Sequence, residues 1–224
     1  MEKTINVVDT GAVMRKVYGK MCLALLLTAA ASFVVLNIPA LLTFFMSKPI
    51  IFWGLFAIEL ILVIYISWKM EDISRQKASM LFYLYSIVSG ITLTPVLLVY
   101  TKASLALAFM ITAGMFAIMT IIGYTTKKDL TGWGTYLMMA LIGLIICLLV
   151  QLVWHNPMFE FLVSCAAVLI FVGLTAYDTQ SIKKSAEADL YGDTDKVATF
   201  GALSLYLDFI NLFLHILRLI GNSK

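Results

Sequence analysis

Charge is scarce in this chain. Of 224 residues only 13% are Asp, Glu, Lys or Arg, 62% are hydrophobic, and the mean hydropathy is +0.97. A soluble domain of this size needs more charge on its surface and less apolar sequence in its core. The shortage points to lipid as the solvent. A net charge of +3 is too small to imply a nucleic-acid partner. The three cysteines, Cys22, Cys147 and Cys165, fall inside apolar runs, with neither metal-site nor disulfide spacing, and read as small hydrophobes. Also missing are a phosphate-cradling Gly-rich loop, an HExxH motif and a Ser-His-Asp arrangement, so no enzyme chemistry and no cofactor is expected. No lipidation motif is present. The first apolar run is too long, and too far behind a polar arm, to read as a cleaved signal peptide.

What the chain does have is seven apolar runs of the roughly 20 residues that a bilayer-spanning helix requires. They cover about 21–45, 50–68, 78–100, 103–125, 133–154, 158–180 and 197–220, behind an N-terminal arm at 1–20. The fold class expected is an all-α integral membrane protein, one transmembrane domain over 21–224. The connections are short and hold most of the charge. Twelve lysines and arginines fall on the side of the N-terminal arm and four on the other. The positive-inside rule then puts the N-terminus in the cytoplasm and, with seven full crossings, the C-terminus outside. A re-entrant seventh span would return the C-terminus to the cytoplasm. Trp53, Trp68, Trp133 and Trp154 sit near span ends, at the depth of the headgroups. The short arm and compact loops favour a bacterial plasma membrane.

Three carboxylates fall inside the spans: Glu59 in span two, Asp178 late in span six and Asp208 in span seven. A charge at mid-bilayer costs at least ~2.5–3.5 kcal/mol, so such residues face protein or water and are functional candidates. Span seven adds a pattern. Ser204, Asp208, Asn211, His215 and Arg218 are spaced by 4, 3, 4 and 3, which places them on one stripe of a helix otherwise built of Leu, Ile and Phe. Such a stripe either lines a wet path or packs against polar partners. Span three carries Ser79, Tyr83, Ser86, Gly90 and Thr94, and this small and polar run is able to face it. Ser164, Thr175 and Asp178 share a face of span six.

Spans six and seven are joined on the side where Asp178 lies, so packing can bring Asp178 and Asp208 together. Two carboxyls in one site cannot both ionise cheaply. The pair can therefore act as a latch, closed by a shared proton and loosened when that proton leaves. Its hard oxygens also suit Ca²⁺. The alternative is two polar residues satisfied independently. His215 is either a proton relay or a hydrogen-bonding partner, His155 lies in an outer turn, and Arg75 and Arg15 are both available as counter-ions to Asp178.

Four stretches carry a resemblance: "SGITLTPVLL" at 89–98, "AFMITAGMFAIMTIIGYTTKKDLTGWG" at 108–134, "LTAYDTQSIKK" at 174–184 and "ALSLYLDFINLFLHILRLIG" at 202–221. In this order they resemble the Bax inhibitor-1 family, also called the transmembrane Bax inhibitor motif family. The match covers about 80–220, and the first two spans agree mainly in hydropathy. The resemblance implies a seven-helix bundle with the C-terminal helix central, and a pH-sensitive Ca²⁺ leak in which Asp178 and Asp208 sense protons and gate the pore. It makes Ca²⁺ and H⁺ the species handled. It aligns the family's embedded glutamate with Glu59, beside Ser204, Asn211 and His215 as ion-path candidates. The family's latch arginine lies at the cytoplasmic end of span two. Here that region reads "WKMEDISRQK", and Arg75 is the counter-ion candidate.

Other functions compete with the leak. Some family members are associated with restraining a membrane-bound quality-control protease or with stress and cell-death control, which implies a non-transporting regulator or adaptor. Proton-coupled transport is a third class. Proteolysis by paired aspartates is disfavoured, because the contexts are Tyr177-Asp178 and Leu207-Asp208 rather than Gly-Asp.

Overall fold

Helices account for almost all of the computed structural model, which describes residues 9–69, 72–188 and 193–222. Lys3 and Lys224 of the charge pattern lie outside the described residues. The helices are α1 (Thr10–Asn37), α2 (Pro39–Met46), α3 (Pro49–Trp68), α4 (Arg75–Val99), α5 (Lys102–Thr125), α6 (Thr131–Gln151), α7 (Pro157–Glu187) and α8 (Thr194–Ile220). Seven of them, all but α2, are long and apolar enough to cross a bilayer.

Local chemistry sets the boundaries. The Asp9 carboxylate accepts from the Ala12 amide at 3.1 Å and caps α1. Residues 10–20, part of the polar arm in sequence, are therefore the opening turns of a helix. Where the run 21–45 reads as one span, the chain folds as two helices. Pro39 has no N–H to give and pushes Ile38 into extended backbone (φ −109°, ψ 101°), ending α1 at Asn37 and starting α2. Thr101 caps α5 through the Ser104 amide, and Asn156 caps α7 through the amides of Met158 and Phe159. With 31 residues, α7 is about 46 Å long and outlasts the apolar run that marks it in sequence.

The chain divides into two compact units. One comprises Met1–Leu98 and Ile182–Leu203, the other Val99–Ser181 and Ser204–Lys224. In the first, α1 presents Val13, Val17, Met21, Ala24, Thr28, Ser32 and Val35 as one buried stripe. It lies tight against α4. Thr28 donates to the Ser86 carbonyl at 2.8 Å and Ser32 to the Gly90 carbonyl at 2.6 Å. A Cβ on Gly90 would come within 2.3 Å of the Thr28 carbonyl oxygen, so only glycine permits this approach. Ser86 and Gly90, open to span seven in the sequence pattern, are thus turned to α1, while Ser79 meets Thr199 of α8 at 3.1 Å.

In the second unit the backbone of α7 approaches α5 as closely. A Cβ on Gly123 would lie 2.3 Å from the Ala176 carbonyl oxygen, and Gly134 of α6 leaves room for the Tyr177 ring. Phe209 of α8 meets Phe109 and Phe116 of α5 edge-on at 5.6 and 5.5 Å. Burial differs sharply between helices. In α8 61% of the apolar window is buried, the burial of an enclosed helix, against 6% in α3 and in α6, which show Ile61 and Met139 outward. Apolar side chains exposed on this scale need hydrocarbon around them.

Candidate functional site

Asp178 of α7 and Asp208 of α8 both belong to the second unit. Ser204 donates to Asp178 Oδ2 at 2.6 Å. Asp208 follows Ser204 by four residues and so lies on the same face of α8, one turn on. Ser204 thus ties Asp178 to the face of α8 that carries Asp208 one turn further along. Asp178 is half-buried. Asp208 is 4% exposed, and its Oδ2 has no hydrogen-bond partner among the described residues. A buried carboxyl oxygen without a donor is expensive to keep as a charge. The packing of α7 on α8 sets Asp178 against Ser204, on the face of α8 that also carries Asp208.

The backbone around Asp178 is held on several sides. Ala176 abuts Gly123, Tyr177 covers Gly134, and Gln180 clasps the connection between α5 and α6. The Gln180 Oε1 accepts from the Leu130 amide at 2.8 Å, and its Nε2 donates to the Lys128 carbonyl at 2.8 Å. Nothing in the sequence singles out Gln180, because its partners are main-chain groups some 50 residues away.

The rest of the α8 stripe divides by partner. Asn211 Nδ2 donates to the Leu207 carbonyl of its own helix at 2.8 Å. His215 is buried, lies 3.4 Å through Nδ1 from Ser164 Oγ, and stacks on Phe171 with ring centroids 6.3 Å apart. Arg218 closes the helix in its last turn, where a cation suits the C-terminal dipole.

Two candidates belong to the first unit. Glu59 is half-buried on α3, and Thr92 of α4 donates to its Oε1 at 2.6 Å, a partner in a different helix that spacing does not reveal. Arg75 lies 3.9 Å from Asp195 Oδ2, whose other oxygen accepts from Lys16 at 2.7 Å. Its ion partner among the described residues is thus Asp195. Among the described residues no group of three or more His, Cys, Asp or Glu side chains converges as a resident metal site would require.

Comparisons with known proteins identify the family. The family model described as inhibitor of apoptosis-promoting Bax1 matches residues 10–224. The inner membrane protein YbhL of Escherichia coli strain K12 is 44% identical over 214 residues, covering 94% of this chain and 92% of YbhL. A Borreliella burgdorferi protein is 40% identical over the same shares, and one from Deinococcus radiodurans is 34% identical over all of this chain and 94% of its own length. A family match over nearly the whole chain, with relatives well above 30% identity, places it: this seven-helix membrane protein belongs to the Bax inhibitor-1 family.

Proposed function

We propose that the protein is a pH-sensitive Ca²⁺ leak gated by Asp178 and Asp208. The observation that supports this reading is the pair itself: the half-buried Asp178 accepts from the Ser204 hydroxyl, and the buried Asp208 has an oxygen with no partner among the described residues. When the pair shares a proton, α7 and α8 stay packed. When that proton leaves, two negative charges remain. At a separation of ~6 Å and an effective dielectric of ~20 their repulsion is about 3 kcal/mol. That is enough to shift a two-state equilibrium by about a hundredfold. Flux therefore rises with pH.

Ca²⁺ is cargo in this scheme. It prefers six to eight oxygen ligands, and two carboxylates with Ser204 supply too few to retain it, which suits passage rather than storage. His215 is a further polar candidate on the helix of Asp208, and Glu59 of the first unit is a separate embedded carboxylate. The membrane proposed is a bacterial inner membrane, like that of the Escherichia coli inner membrane protein YbhL, with the N-terminus cytoplasmic and the C-terminus outside.

The test is Ca²⁺ influx into dye-loaded liposomes holding the purified protein, across acidic to mildly alkaline pH. Wild type is expected to admit Ca²⁺ with a pH dependence that Asp178→Asn and Asp208→Asn alter. If all three match empty liposomes at every pH, the leak reading fails, and a regulator of a membrane-bound protease or stress response becomes the better account.

A further inference from the structure

The first unit holds an open pocket of about 480 Å³ that the aspartate pair does not use. Its walls come from α1, α4 and the start of α8. Lys20 of α1 projects into it, its ammonium fixed by Ser79 and Thr199 hydroxyls at 2.7 Å each. Both acceptors are neutral, and no carboxylate forms an ion pair with Lys20 among the described residues. Arg75 lines the same pocket. Its contact with Asp195 is long, at 3.9 Å, and its side chain is 61% exposed. Asp195 is on the wall too, but Lys16 already holds it at 2.7 Å, so the lining carries a surplus of positive charge.

The pocket is also graded along α4. Arg75 stands at the first residue of the helix, with Met80 and Tyr83 further along it, and Met80 is 64% exposed. A cationic end therefore gives way to an apolar wall in the direction of the bilayer. Free phosphate has no use for the wall. A phospholipid matches both parts, and basic pockets between membrane helices recognise anionic headgroups in this way. Lys20 suits the task, since a long stem lies along apolar surface while the ammonium reaches the interface.

We propose that this pocket binds the phosphate of an anionic phospholipid, with Lys20 and Arg75 on the phosphate and Met80 and Tyr83 beside the acyl chain. Arg75 provides the fork that grips two phosphate oxygens, and Lys20 a pre-positioned point charge.

The experiment uses the full chain, delipidated in detergent and titrated with phosphatidylglycerol, phosphatidylcholine, glycerol 3-phosphate and inorganic phosphate, with retained ligand read by native mass spectrometry. Phosphatidylglycerol is expected to be retained in preference to phosphatidylcholine, and neither soluble phosphate should displace it at equal concentration. Arg75→Gln, on an exposed side chain, should bind it about fivefold more weakly. Lys20→Met should do the same or more, with circular dichroism reporting whether it folds. Equal retention of the two lipids, or wild-type retention by Arg75→Gln, overturns the site. Displacement by glycerol 3-phosphate or inorganic phosphate overturns the lipid assignment.

Discussion

Two aspartates on α8 are treated in opposite ways. Asp195, at the start of the helix, is partly exposed and receives Lys16 at 2.7 Å and Arg75 at 3.9 Å. Asp208, further along, is 4% exposed and keeps one carboxyl oxygen without a donor among the described residues. One is a carboxylate supplied with cations at a wet helix end. The other is set among Leu, Ile and Phe with another acid for its neighbour. An ion pair at the surface contributes little and a buried lone carboxyl costs much, so the costly residue is the one whose presence calls for a function.

The contrast breaks most severely if a cation replaces Asp208. Asp208→Lys puts an unpaired ammonium in an apolar site and should cost about 3 kcal/mol or more, seen as loss of the folded species by size exclusion in detergent. Ser204→Ala removes the hydroxyl on Asp178 and should lower stability by about 1 kcal/mol, measured by thermal unfolding. Asp195→Asn should cost less than about 1 kcal/mol, and less still at high salt, because its pairs are screened. Smallest of all is Asn211→Ala. Its amide is engaged by its own helix, and Ca²⁺ influx should stay within about twofold of wild type.

The same contrast marks what the sequence could carry. Seven apolar runs are legible because a bilayer demands length and hydropathy, both local properties. Asp208 is legible because a carboxyl interrupts such a run, and its spacing from Ser204 places both on one face. The break at Ile38 lay in the Pro39 dipeptide but was masked by hydropathy on both sides. The Lys20–Ser79–Thr199 cluster joins groups 59 and 179 residues apart, and no periodicity within one helix reports such a meeting. Arg75 shows the same limit: its distance along the chain left Asp178 as a partner, whereas the ion pair is with Asp195.

The central claim is that the acid without a cation, not the acid with one, carries the pH response. The direct measurement is the pH dependence of Ca²⁺ influx into liposomes for wild type, Asp208→Asn and Asp195→Asn in parallel. Influx that rises with pH in wild type and in Asp195→Asn, and is flat in Asp208→Asn, is the predicted result. An unchanged pH dependence in Asp208→Asn, or its loss in Asp195→Asn alone, would contradict the account.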